Sequence, residues 1–176
     1  MELERKLSRA INSGEADRVE KVFEQIYYTY CNLVAYIISK YVQKREDIEE
    51  LTDDVFVSFS RAMFNTEFRS IKFYLVSSAK NAAVNFVKRN LGKEIVYLED
   101  VNSQQDVAYC SDTPFWELVN ALQSVLTEYE TQVVLQRAVF GYTFEEMAHS
   151  FNLPASTVRS TFNRAIKKCK KGVILL

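Results

Sequence analysis

The sequence predicts an all-α protein made of two small helical domains joined by a flexible linker. Glycine and proline are scarce, with four and two in 176 residues, too few for the turns of a β-sandwich or barrel. Apolar residues recur at helical spacing over three long stretches of the first half. Residues 90–112 lose this periodicity and gather Asn, Ser, Gln and Asp, which is typical of a linker.

The first predicted domain covers residues 1–89 and contains four helices. A short helix around Leu7 is expected to end at Ser13–Gly14, since glycine favours the end of a helix. Helical spacing of apolar residues then predicts a long helix over 16–41. After the polar break QKRED, further helices are predicted over about 48–64 and 71–89.

The second predicted domain covers residues 113–176 and contains four short helices. Thr113-Pro114 fits an N-cap followed by proline at the first helical position. Thr127 and Thr143 are each followed three residues later by Glu, the capping-box pattern that starts a helix. Gly141 is expected to close the helix between these two boxes, and the tripeptide NLP at 152–154 to separate the last two helices.

Composition excludes several classes of protein. The three cysteines lie far apart without a CxxC pair and there is one histidine, so neither a disulfide framework nor a metal site is expected. We expect no cofactor and no enzymatic activity, because no phosphate-binding glycine loop or paired nucleophile and base can be placed. No apolar run is long enough to span a bilayer and no signal peptide is recognised, so a cytoplasmic protein without membrane insertion is predicted.

The C-terminal segment has a different charge from the rest of the chain. The formal net charge is -1, yet residues 152–176 hold six Lys or Arg and no acid. Phe144, Met147 and Phe151 form the inner stripe of one helix, and Val158 and Phe162 begin that of the next. Two such helices joined by a short turn predict a helix-turn-helix, whose second helix enters the major groove of DNA.

The outward face of that second helix carries side chains suited to reading DNA. Arg159 can bind guanine edges bidentately, Asn163 can bind adenine, and neighbouring Lys side chains can bind phosphates. The alternative is a solvated basic face on an ordinary surface helix. The absence of any acid from this helix favours nucleic acid.

The residues of both halves resemble one family. The segment LTEYETQVVLQRAVFGYTFEEMAHSFNLPASTVRSTFNRAIKKCKK resembles region 4 of bacterial sigma factors of the extracytoplasmic-function (ECF) group. EELTDDVFVSFSRAM resembles their region 2.2, and SIKFYLVSSAKNAAVNFVKR resembles regions 2.3 and 2.4. The resemblance covers roughly residues 16–170. The chain departs from the family at Tyr74, Asp53 and Asn85, where Trp, Gln and Asp are common.

The resemblance implies two DNA-binding surfaces and one polymerase-binding surface. The implied contacts to the −35 element are Ser156, Thr157, Arg159, Ser160, Asn163, Arg164 and Lys167. Those to the melted −10 element are Tyr74, Lys80, Asn81, Asn85, Lys88 and Arg89. Those to core RNA polymerase are Glu49, Glu50, Asp53, Asp54 and Phe56, although an exposed charged helix face is the alternative for the acids.

The implied partners are promoter DNA and core RNA polymerase, through its clamp helices and flap. An anti-sigma factor is a further candidate, which the apolar tail Gly172–Leu176 would contact unless it packs on its own domain. The acids Glu94, Glu99, Asp100 and Asp106 would either enter the RNA-exit region or belong to a plain tether. Rival interpretations are a free-standing helix-turn-helix regulator and, more weakly supported, a helical adaptor.

Overall fold

Every regular element in the described part of the chain is helical. The computed structural model describes residues 2–90 and 114–173, and within them no strand occurs, so the all-α fold class is confirmed. The chain divides into two compact units, and the division falls between these two ranges. None of the described helices is long and apolar enough to cross a membrane.

The first unit contains four α-helices. They are α1 (Glu2–Ser13), α2 (Ala16–Ser39), α3 (Arg45–Ala62) and α4 (Ile71–Asn90). The second unit contains α5 (Pro114–Gln123), α6 (Glu128–Val134), a π-helical stretch (Leu135–Val139), α7 (Phe144–Phe151) and α8 (Ala155–Val173). The predicted linker 90–112 lies outside the described residues except for Asn90, which ends α4. The four linker acids and the side chains of the tail Gly172–Leu176 also lie outside them.

The predicted start of α3 was wrong by three residues. The segment QKRED was expected to be a break, yet the helix begins at Arg45. Glu46 and Asp47 occupy the first turn, where the helix dipole favours acids. Arg45 Nε donates to Glu49 Oε1 at 2.8 Å, an ion pair between residues four apart on the helix. Charge therefore extends this helix beyond its apolar pattern.

Phe59 lies at the centre of the first unit. Its side chain is fully buried and its ring stacks on Phe23 of α2, with 6.2 Å between the ring centroids. The rings of Phe68 and Tyr74 lie 5.3 and 5.9 Å from it. One side chain of α3 thus joins α2, the segment before α4 and α4 itself. Aromatic pairs of this kind stabilise a core beyond the area that they bury.

A carboxylate of helix α1 binds the start of α4. Leu7 and Ala10 are buried on its inner face. Glu4 Oε1 accepts a hydrogen bond from the backbone N–H of Ile71 at 3.0 Å, which satisfies one of the free donors of the α4 N-terminus. Burial alone would raise the pKa of Glu4, but hydrogen bonds to its carboxylate, including that from Ile71, lower it below its ordinary value.

Both capping boxes predicted in the second unit are confirmed. Thr127 and Thr143 accept from the backbone N–H groups of Glu130 and Glu146, whose carboxylates accept in return from the threonine N–H groups. Gly141, with φ of +66°, follows the helix as predicted. The π-helical stretch was not predicted, and in it the Phe140 N–H donates to the carbonyl of Leu135 five residues earlier.

We predict that Phe59→Ala destabilises the first unit by about 3–5 kcal/mol, because a large cavity opens where three elements meet. Circular dichroism during urea unfolding measures this loss. The fluorescence of Trp116, the single tryptophan, reports the second unit and should keep its transition. Phe64→Ala is the matched control, since that ring is 57% exposed and its loss should change stability by less than about 0.5 kcal/mol. Equal losses in the two variants would contradict the central role of Phe59.

Candidate functional site

Helices α7 and α8 form the predicted helix-turn-helix. Asn152, between them, adopts a left-handed conformation with φ of 52°, which asparagine tolerates better than most residues. The Leu153 N–H reaches back to the carbonyl of Ala148 at 3.0 Å, a bond that closes the end of α7. Val133, Met147 and Val158 are fully buried together and fix α6, α7 and α8 in one core.

The seven residues predicted to contact the −35 element are all exposed on α8. They are Ser156, Thr157, Arg159, Ser160, Asn163, Arg164 and Lys167. Val158 and Ala165 are fully buried on the opposite face. Two of the exposed side chains bond within the helix, since Ser160 Oγ donates to the Thr157 carbonyl at 2.9 Å and Arg164 Nη2 to Thr161 Oγ1 at 3.4 Å.

The side chain of Arg159 is oriented by an aromatic ring. Its guanidinium lies 5.1 Å from the ring centroid of Phe144, the first residue of α7. The guanidinium of Arg137 lies at the same distance from this ring and donates from Nη1 to the Tyr142 carbonyl at 3.0 Å. Two cations therefore share one ring at the start of the helix-turn-helix, in a cation–π arrangement.

Sequence reasoning missed Arg137. The sequence does contain a signal for Arg137, because it is the one Lys or Arg in the otherwise acidic segment 113–151. Phe144 was predicted only as part of the inner stripe of α7. The ring of Phe144 is half-buried and packs edge-on against Phe162, with 5.8 Å between the ring centroids. The guanidinium groups of Arg137 and Arg159 contact the same ring.

Lys168 has a structural partner. Its Nζ donates to both carboxylate oxygens of Glu130, each at 2.8 Å, and links α8 to the capping box of α6. The hydrogen bond from Lys168 is the main cause that lowers the pKa of Glu130 below its ordinary value. Lys168 is thus paired within region 4, whereas Lys167, Lys170 and Lys171 are exposed, and phosphate binding by the flanking lysines stays a prediction.

Helix α4 exposes five of the six residues predicted to contact the −10 element. These are Lys80, Asn81, Asn85, Lys88 and Arg89. Tyr74 lies apart from them: its ring is half-buried and meets Phe68 edge-on, with 5.0 Å between centroids. Its ring therefore takes part in the aromatic cluster around Phe59.

Helix α3 exposes the four predicted acids Glu49, Glu50, Asp53 and Asp54. Phe56 is different, because its side chain is 3% exposed and its ring centroid lies 4.7 Å from that of Tyr27 on α2. The prediction that Phe56 contacts polymerase is therefore corrected to a role in the core. Glu49 is already paired with Arg45, so Glu50, Asp53 and Asp54 carry most of the free negative charge of this face.

Models of two sigma-70 regions match the chain in order. The model of sigma-70 region 2 matches residues 26–91, and that of sigma-70 region 4 matches residues 117–169. Together they cover more than half of the chain. The chain belongs to the sigma-70 family.

A curated relative places the chain in the ECF group. It is 24% identical over 169 residues to the ECF RNA polymerase sigma factor SigX of Bacillus subtilis (strain 168), a similarity that spans 90% of this chain and 87% of the Bacillus protein. The chain is therefore an ECF sigma factor of the sigma-70 family, with a role in promoter-directed transcription initiation. Its family implies core RNA polymerase and promoter DNA as partners.

The two sigma regions correspond to the two structural units. Region 4 begins within α5 and includes the whole helix-turn-helix up to Cys169. Region 2 begins within α2 and includes the acidic face of α3 and the polar face of α4. Helix α1 precedes the matched residues, yet its Glu4 caps α4 of region 2. The recognised region thus has an additional helix attached to it.

We predict that Glu130→Ala destabilises region 4 by about 1–2 kcal/mol, because both the capping box and the ion pair with Lys168 are lost. Urea unfolding followed by Trp116 fluorescence measures the change. Glu145→Ala, which removes an exposed acid from the first turn of α7, is the control and should cost clearly less.

The stability contributed by Glu130 should also depend on pH. Its pKa is lowered in the folded state, so the unfolded chain binds the proton more readily, and the stabilisation is present above the ordinary pKa of about 4.5. It is lost as pH falls through the folded-state pKa. The difference in unfolding free energy between the wild-type protein and Glu130→Ala should therefore shrink below pH 4.5. A difference that does not change with pH would contradict the stabilising role of the ionised Glu130 carboxylate.

Proposed function

We propose that this ECF sigma factor reads the −35 element with α8 and contacts the melted −10 element with α4, while α3 binds core RNA polymerase. The observation that carries the proposal is the composition of α8. Its exposed face holds every predicted −35 residue and no acid, and its other face is buried in the core of region 4. A helix so constrained can enter the major groove without rearrangement.

Two kinds of contact are expected at the −35 element. The side chains of Arg159 and Asn163 have no hydrogen bond to any described residue, so their polar groups are available to guanine and adenine edges. Arg137 and Lys167 suit phosphates on either side of the bases. Because Phe144 limits the movement of Arg159, less side-chain entropy is lost when this arginine binds a base.

The −10 contact is proposed for the exposed face of α4. Single-stranded bases are bound by polar pockets and aromatic stacking, and their backbone by cations. Asn81 is the candidate for an extruded base, and Lys80, Lys88 and Arg89 suit the phosphates around it. Tyr74, held in the aromatic cluster, would support the start of this helix.

The acidic face of α3 is proposed to bind a basic surface on the clamp helices of core polymerase, while region 4 binds the flap. Opposite charges on two partners speed their association and fix their orientation. Duplex DNA should bind weakly to the sigma factor alone, because polymerase supplies most of the promoter-binding surface. The proposed domains remain residues 1–89 and 113–176, the proposed location is the cytoplasm, and an anti-sigma factor is a further proposed partner.

The decisive experiment combines the purified protein with bacterial core RNA polymerase and genomic DNA. Tight association should be found, and the 5′ ends of the transcripts should share paired −35 and −10 motifs. Failure to bind polymerase, together with specific binding of duplex DNA by the protein alone, would instead support a free-standing helix-turn-helix regulator.

We predict that Arg159→Ala/Asn163→Ala abolishes promoter-specific transcription and leaves the affinity for core polymerase unchanged. Each base contact contributes about 1–3 kcal/mol of discrimination, so promoter binding by the holoenzyme should fall by about 100-fold or more. Arg18→Ala/Asn12→Ala removes the same side-chain types from exposed positions of α1 and α2 and should have little effect. Loss of polymerase binding in the Arg159→Ala/Asn163→Ala variant would contradict the proposal that α8 reads DNA while α3 binds polymerase.

We predict that Asp53→Asn/Asp54→Asn weakens binding to core polymerase by about tenfold, equivalent to about 1.4 kcal/mol. The loss should be largest at low salt, because exposed charges are screened at high ionic strength. Titration of labelled polymerase at two salt concentrations measures it. Glu20→Gln/Glu24→Gln, on exposed positions of α2 before the region 2 match, is the control. Equal effects of the two variants would mean that only net charge matters.

A further inference from the structure

A groove of about 450 Å³ lies between α1 and the segment that leads into α4. Three arginines line it together with Ser8: Arg5 and Arg9 from α1, and Arg69 from just before α4. Arg5 and Arg9 lie one helical turn apart on the exposed face of α1. Sequence reasoning assigned no role to any of these residues.

The three guanidiniums are available to a ligand. All are exposed, and none forms a hydrogen bond or an ion pair within residues 2–90 and 114–173. Two carboxylates also border the groove. That of Glu4 accepts from the Ile71 backbone N–H, and that of Glu67 is exposed to solvent. The three arginines therefore outnumber the two acids, and the Glu4 carboxylate is already hydrogen-bonded within the fold.

The groove lies at the N-terminal end of α4, the helix that carries the proposed −10 surface. Phe68 lines it and packs against Tyr74 in the second turn of α4, with 5.0 Å between ring centroids. Arg69 precedes by two residues the helix that carries Asn81 and Lys88. A nucleic-acid strand that follows α4 towards its N-terminus would therefore reach these arginines next.

We propose that this groove binds the phosphodiester backbone of the promoter strand beside the −10 element, with Arg5 and Arg9 of α1 as its principal contacts. The inference rests on the proposed function and extends it to a helix that lies outside the matched region 2. Guanidinium groups bind phosphate oxygens through paired, charge-assisted hydrogen bonds. Such contacts add affinity without base preference.

The test uses the holoenzyme formed with core polymerase and a fluorescent promoter fragment whose −10 region is left unpaired. Arg5→Gln/Arg9→Gln is compared with the wild-type protein over a series of KCl concentrations. Each lost single-strand phosphate contact should reduce the slope of log K against log [salt] by about 0.7, so the double variant should lose about 1.4. The loss should be the same for promoters with different −10 bases.

Matched variants separate phosphate binding from other effects. Arg18→Gln/Lys21→Gln removes two cations from α2, outside this groove, and should leave the slope unchanged. Arg5→Lys/Arg9→Lys keeps the charges and should retain most of the slope, whereas Arg69→Gln should reduce it by about 0.7. Circular dichroism of each variant should match that of the wild-type protein, because the substituted side chains are exposed.

Three outcomes would overturn the inference. An unchanged slope in Arg5→Gln/Arg9→Gln would exclude backbone contacts by α1. Weaker binding to core polymerase in place of weaker DNA binding would make the groove a protein-docking surface. A wild-type holoenzyme that binds no promoter would refute the proposed function itself, and this inference with it, whereas promoter binding with an unchanged slope refutes the inference alone.

Discussion

The packing of aromatic rings around Phe59 is the constraint on which region 2 depends. This ring meets Phe23 of α2, Phe68 before α4 and Tyr74 within α4, so one side chain holds α2 against the segment that begins α4. Because the inner faces of α3 and α4 are committed to this core, their polar residues have to face outwards. The acids of α3 and the asparagines and lysines of α4 are thus presented on helices that cannot rotate without opening the core. The positions of both candidate surfaces follow from the burial of their opposite faces.

Region 4 also holds its exposed polar residues on a fixed helix, but it does so with a smaller hydrophobic core and several polar contacts. Val133, Met147 and Val158 are fully buried at its centre, and partly buried side chains such as Phe144, Phe151 and Phe162 pack around them. Near the start of α8, the ring of Phe144 binds the Arg159 guanidinium, and towards its end Lys168 is paired with Glu130. The left-handed Asn152 sets the angle at which the chain turns between α7 and α8. Side chains on both halves of α8 therefore supplement the hydrophobic core in holding this helix.

Most helices could be predicted because their apolar spacing and caps are local signals. Thr127 and Thr143 each begin a four-residue capping-box pattern that predicts a helix, and both capping boxes form. The errors concern interactions that such signals do not contain. Phe56 shares a helix with surface acids, and its packing against Phe23 and Tyr27 of α2 shows that its ring is buried. Lys168 looks like any other lysine of KKCKK until Glu130, 38 residues earlier, is brought beside it. The start of α3 was missed because charges, not apolar residues, stabilise its first turn.

The distribution of charge explains how a chain with a net charge of -1 can serve two partners of opposite sign. The field of a neutral molecule decays quickly, within about 10 Å at moderate salt, so DNA at a distance experiences little attraction. Under the proposed function, the cations of α8, α4 and the α1 groove would act only when DNA is already close, and the acids of α3 would act on a different partner. A strongly basic sigma factor would bind any duplex, since nonspecific affinity grows with each phosphate neutralised. Under the proposed function, locally segregated charge would instead make DNA binding depend on prior attachment to polymerase, which would bring the promoter close to the sigma factor.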